Sequence, residues 1–155
     1  MERPPRLRLE LDDDQVIDVA DNLSPRYKLG RCLGKGRYGI VLEAFDKKSG
    51  ENVAIKSLDR LMGSNINQEI TILKRVQHPN CIRLKKVEET STCTYLVMDL
   101  CSGGDLFEKN KRNGPLPEAS ARKIALKLFE AVAHLHRNEI MHRGKRCLRF
   151  FFRLV

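Results

Sequence analysis

The sequence predicts an α+β fold: an antiparallel sheet of about five strands carrying one helix, followed by two further helices. Three observations carry this. Between residues 27 and 100, runs rich in β-branched and aromatic residues alternate with short polar turns, as strands joined by tight connections do. Within that stretch Ile66, Ile70, Leu73 and Val76 recur at spacings of four, three and three, the period of one helix face. Beyond it, Ile124, Leu128, Val132 and Leu135 mark a stripe between Glu118 and Arg137, a pattern too long for a strand.

Taken in order, residues 1–26 read as a loosely ordered extension. They contain Pro4-Pro5, the acidic cluster Asp12-Asp13-Asp14 and a short alternation at Leu7, Leu9 and Leu11, as a lead-in segment does; a docked strand is the lesser alternative. Strands are predicted at 27–33, 40–46 and 52–58, with Lys47-Lys48-Ser49-Gly50 as a turn. Ser64 or Asn65 can cap the next helix, which ends before His78-Pro79. Residues 82–88 and 93–100 read as a hairpin across a polar turn. A short helix follows at 105–112, broken at Gly114-Pro115. In the long helix Glu118 suits the N-terminus and Arg137 the C-terminus, and Ala125, Phe129 and Ala133 widen its apolar face, which other elements must cover.

Bulk composition narrows the function classes. A chain of 155 residues supports one core and is too short for two ordinary domains, so it is one domain or part of one. With 41% hydrophobic and 32% charged residues it reads as soluble and globular. No apolar run approaches a membrane span, and the first residues lead into charge rather than a secretory signal. The net charge is +9, but Arg143, Lys145, Arg146, Arg149 and Arg153 lie at the end of the chain, and without them it is +4. Neither nucleic acid nor a membrane is therefore an expected partner. Cys32, Cys81, Cys93, Cys101 and Cys147 show no C-x-x-C or metal-ligand spacing. This points to a reduced, cytoplasmic setting, the nucleus not excluded, with neither disulfide nor metal.

The stretch from Leu33 to Lys56 organises the rest. Gly34, Gly36 and Gly39 follow G-x-G-x-x-G, with Lys35, Arg37 and Tyr38 between them and Val41 just beyond. Glycines let a backbone bend and approach a ligand, leaving N–H groups to face anionic oxygens. A dinucleotide fold would continue into a helix here; Asp59 does lie twenty residues past Gly39, where that fold places its ribose-binding acid. A turn and a strand intervene instead, and that strand is Val53-Ala54-Ile55-Lys56. Its closing lysine could reach phosphates under the loop. Glu69, on the following helix, can turn back toward the sheet and hold that ammonium. The segment Met98-Asp99-Leu100-Cys101 precedes Ser102-Gly103-Gly104 and changes the chain's direction, where main-chain groups can read a flat purine edge.

Together these residues resemble the eukaryotic protein kinase family over about residues 27–143. The resemblance implies a protein-kinase-like fold and transfer of the ATP γ-phosphoryl group to a protein Ser or Thr. Gly34, Gly36, Gly39 and Val41 match the glycine-rich loop, Lys56 the V-A-I-K lysine, and Glu69 its helix partner. Leu33, Val41, Ala54 and Met98 match the adenine pocket, with Met98 as gatekeeper and Asp99 to Cys101 as hinge. Asp105, in Gly103-Gly104-Asp105-Leu106-Phe107, matches the acid that contacts ribose or a basic substrate residue. His78-Pro79-Asn80 and the Gly-Gly-Asp-Leu-Phe segment look most like calcium/calmodulin-dependent kinases. Thirteen positions separate Lys56 from Glu69, fewer than in many members, which predicts a helix lacking its first turns.

The pattern then departs. The family continues H-R-D-L-K-P-E-N, whereas here Gly144 follows His142-Arg143 and residues 144–155 form a basic, aromatic tail with Phe150-Phe151-Phe152. The catalytic aspartate, the catalytic-loop asparagine and the magnesium-binding aspartate are all missing, so magnesium, expected for the family, has no protein ligand in this sequence. The expectation is a truncated kinase fold, inactive alone, through a retained intron, a frameshift or an alternative isoform. The alternative is a non-catalytic module that holds nucleotide or docks on a partner kinase.

Overall fold

A computed structural model describes residues 6–11, 15–20, 23, 25–36, 39–60, 66–103 and 106–140. They fall into two compact units, Met1–Ile70 with Leu84–Leu100, and Thr71–Arg83 with Cys101–Val155.

In the first unit, β1 (Arg6–Leu11) and β2 (Gln15–Ala20) form a separate antiparallel pair, with Leu7 opposite Val19 and Leu9 opposite Ile17. Both strands fall in the region that the sequence reads as an extension. The alternation at Leu7, Leu9 and Leu11 is the first strand of a hairpin whose second strand supplies Ile17 and Val19. Nor does that region stop short of the core, because Leu23 is 1% exposed and packs with Tyr27 and Leu42.

The main sheet has the order β3-β4-β5-β7-β6, every pair antiparallel. Its strands are β3 (Tyr27–Gly36), β4 (Gly39–Asp46), β5 (Glu51–Asp59), β6 (Leu84–Glu89) and β7 (Cys93–Asp99). The two-residue pleat divides their side chains between two faces. Leu42 and Ala44, Val53 and Ile55, and Tyr95 and Val97 share one core cluster with Leu23 and Tyr27. The alternate residues Val41, Ala54, Lys56, Leu96 and Met98 therefore occupy the opposite face.

A charged cluster ties the start of β3 to the sheet. Arg26 donates from Nε to Asp46 Oδ1 at 3.1 Å and from Nη2 to Oδ2 at 2.7 Å. Asp46 is buried, and this forked bond, with the Lys48 N–H, holds its carboxyl well below the usual carboxylate range. Tyr27 donates to Glu88 Oε1 at 3.2 Å; its phenol is pushed up to about 12, chiefly by burial and then by the Glu88 charge.

Helix α1 spans Ile66–Arg75 and carries Glu69 in its first described turn. The proposed caps Ser64 and Asn65 lie outside the described residues. In the second unit α2 spans Leu106–Asn113 and α3 Glu118–Arg137. Ala131 and Leu135 of α3 are buried with Val76, Cys81 and Ile140, while Ile124, Leu128 and Val132 border that cluster. Phe129, grouped with the apolar stripe by sequence, is 68% exposed, and Leu126 is 57% exposed. Asn80 links the loop after α1 to α3, donating from Nδ2 to the Lys127 carbonyl at 3.1 Å and to Glu130 Oε2 at 2.9 Å. The His78 and His134 rings lie beside it with centroids 5.1 Å apart, and burial pushes the His78 imidazole down.

Candidate functional site

The glycine-rich stretch is a continuous hairpin, since β3 runs through it to Gly36. Gly34 pairs with Val41, Lys35 with Ile40 and Gly36 with Gly39. The tip residues Arg37 and Tyr38 lie outside the described residues. Gly39 is confined by the neighbouring strand: its φ is +157°, and a Cβ there would collide with the Ser57 carbonyl of β5. The third glycine is thus required by the close approach of two neighbouring strands, β4 and the strand bearing Lys56.

Register gathers the other residues on the face opposite the main core. Val41 stands opposite Lys56, and Ala54 opposite Met98. Val41, Ala54 and Met98 are buried at 5%, 7% and 4% exposure, giving an apolar surface beside a charge; Leu33 is half-buried and Lys35 exposed. Lys56 Nζ donates to Glu69 Oε1 at 2.6 Å, with both side chains partly open to solvent. A partly exposed pair adds little to stability, on the order of 0–1 kcal/mol. Its effect is positional, because it fixes an ammonium on the sheet face that Val41, Ala54 and Met98 share.

At the far end of β7, Asp99 has a partner that sequence reasoning missed. Lys85 of β6 lies 3.6 Å from Asp99 Oδ1 and 2.6 Å from Glu51 Oε2. No local motif signals this, because the three residues meet only through the order β5-β7-β6. Cys101 belongs to the second unit and is half-buried. Asp105 and Gly144 lie outside the described residues. Among the described residues no group of three His, Cys, Asp or Glu side chains could hold a metal ion.

The protein kinase domain model matches residues 27–144. The chain is 39% identical over 140 residues to calcium-dependent protein kinase 5 of Plasmodium berghei (strain Anka), covering 88% of this chain and 25% of that protein. It is 40% identical over 140 residues to a probable myosin light chain kinase of Dictyostelium discoideum, covering 86% and 45%. To serine/threonine-protein kinase 33 of Bos taurus it is 41% identical over 132 residues, covering 82% and 27%. The chain thus spans between a quarter and a half of the length of these relatives. Among solved structures, the crystal structure of Rad53 1-466 in complex with AMP-PNP is similar, with a TM-score of 0.70 and 26% identity over 79% of this chain and 33% of that one. With an α+β fold of a five-stranded antiparallel sheet and helices, the chain belongs to the eukaryotic Ser/Thr protein kinase family and resembles its calcium-dependent members.

Proposed function

We propose that the first unit holds ATP and that this polypeptide, with Gly144 at the catalytic aspartate position, does not itself transfer phosphate. The observation that carries the first half is the 2.6 Å contact between Lys56, which pairs in register with Val41 of the glycine hairpin, and Glu69. Leu33, Val41, Ala54 and Met98 offer the adenine an apolar surface, and the main chain at Asp99 offers a hydrogen bond to its edge. The backbone N–H groups of Gly34, Lys35, Gly36 and Gly39 face the phosphates, and Glu69 holds the Lys56 ammonium in position for them. The similar Rad53 structure is a complex with AMP-PNP, which supports the same class of ligand.

When bound, ATP supplies a γ-phosphoryl group whose transfer depends on positioning and charge neutralisation. The chain's own residues provide the cradle and one cation. In the family pattern H-R-D-x-x-x-x-N the base and a magnesium ligand fall at positions occupied here by Gly144 and Arg149. Glycine offers no carboxylate to a substrate hydroxyl, and a guanidinium repels the metal. We therefore assign residues 27–143 to a partial kinase domain, and its role to nucleotide holding or docking on a partner kinase. The test pairs two assays on the full chain. ATP should raise its melting temperature, and the rise should vanish in Lys56→Met; labelled phosphate should not reach a basic protein substrate. Turnover that depends on Lys56 would refute the second half, and an equal shift in Lys56→Met the first.

A further inference from the structure

Lys85 stands at a break in the register between β6 and β7. Leu84 pairs with Met98 and Lys86 with Val97, so β6 carries one residue more than its partner there, and Lys85 is that residue. A bulge of this kind bends its strand and re-aims a side chain. The ammonium reaches over the end of β7: Nζ donates to Glu51 Oε2 of β5 at 2.6 Å and lies 3.6 Å from Asp99 Oδ1. The Lys85 and Asp99 side chains are 21% and 14% exposed, so salt screens them less than a surface pair. The strand order β5-β7-β6 makes the contact a clamp. On one side Asp99 pairs with Val53 of β5, whereas on the other the ladder with β6 reaches only to Leu84 and Met98. Side-chain charge thus ties Asp99 to β6 beyond the last paired residues. By the two-residue pleat Asp99 shares the face of Tyr95 and Val97, members of the main core cluster. The clamp is therefore built on the face away from Val41, Ala54 and Met98.

We propose that Lys85 is a positioning residue for base selection, an inference that rests on the nucleotide reading above. By fixing the end of β7 from behind, it holds the Asp99 main chain where its carbonyl accepts from the adenine amino group. Guanine presents a carbonyl oxygen at the corresponding place, so one acceptor would face another and both would go unpaired. A carbonyl held in place therefore favours ATP over GTP, and one free to turn away does not. Lys85, Glu51 and Asp99 belong to the same unit as Lys56, and the clamp acts on the base end of the site rather than on the phosphates.

The test is a competition on the full chain. Bound trinitrophenyl-ATP, a fluorescent nucleotide, is displaced by ATP or by GTP, and the ratio of the two half-displacement concentrations reads base selection separately from phosphate binding. Wild type should favour ATP. Lys85→Met should lower that preference at least about threefold, the worth of one hydrogen bond, by weakening ATP and not GTP. Lys85→Arg, which keeps the cation, should retain the preference. Asp99→Asn should lower it as Lys85→Met does, and the double variant no further, since both remove one contact. An unchanged ratio in Lys85→Met, or an equal loss of ATP and GTP, would overturn the proposal while the ATP binding of wild type stands. Failure of wild type to bind the analogue would overturn the nucleotide reading and this inference with it.

Discussion

Replacing Gly39 by alanine tests whether the hairpin is held by contact between backbones. The added Cβ meets the Ser57 carbonyl, at a φ of +157°. Forcing a methyl group into a filled space costs about 1–3 kcal/mol, and a glycine-only backbone region about 1–3 kcal/mol more, so about 2–6 kcal/mol in all. Gly50 is the internal control. Its φ is +72°, but nothing lies within 4 Å of where its Cβ would stand, so Gly50→Ala carries only the left-handed backbone cost of about 1–2 kcal/mol. For a chain of this length each kcal/mol moves the melting temperature by about 2–4 °C. Thermal melts followed by circular dichroism, without nucleotide, should place Gly39→Ala below Gly50→Ala by several degrees. If Gly39→Ala melts with or above Gly50→Ala, the close approach to Ser57 is not a constraint and the stated reason for the third glycine fails.

Three further outcomes follow from the packing. Arg26→Gln strands the buried Asp46 carboxylate and should lower the urea midpoint at neutral pH. Because Arg26 depresses the Asp46 pKa, the pair's contribution is present above the unfolded carboxylate value near 3.9 and fades as pH falls through the lower folded value; wild type should therefore lose stability below about pH 4 more steeply than Arg26→Gln. Tyr27→Phe should remove a phenolate transition near 12 from the 295 nm titration, since that phenol is pushed up to about 12. Leu135→Ala, 1% exposed in the second core, should cost about 2–5 kcal/mol, while Phe129→Ala, 68% exposed on the same helix, should stay within about 0.5 kcal/mol.

Much of this fold was legible because its signals are local. The bounds of α3 follow from a long apolar stripe with an acid at one end and a base at the other, and the observed helix is Glu118–Arg137. Strand and turn alternation marks the five strands of the main sheet within a few residues. It ends the first of them at Leu33, since glycines weaken a strand; pairing with β4 nevertheless carries β3 to Gly36, because cross-strand bonds override that preference. Lys56 and Glu69 were legible as partners from their residue types and order, and the structure brings them to 2.6 Å.

What escaped the sequence depends on partners distant along the chain. The second strand of the β1–β2 hairpin, the burial of Leu23, the Ser57 carbonyl against Gly39 and the engagement of Asp99 by Lys85 all arise from strand order and register. Exposure of Phe129 has a similar origin, because a helix stripe shows that a face is apolar but not how much of it neighbouring elements reach.

The central claim is that Lys56, set by Glu69, makes the first unit a nucleotide cradle. Titration calorimetry of AMP-PNP into the full chain tests it most directly. Saturable binding is expected, weakened at least about tenfold in both Lys56→Met and Glu69→Gln, since each breaks one charge-assisted bond. Binding of equal strength in wild type and both variants would contradict it.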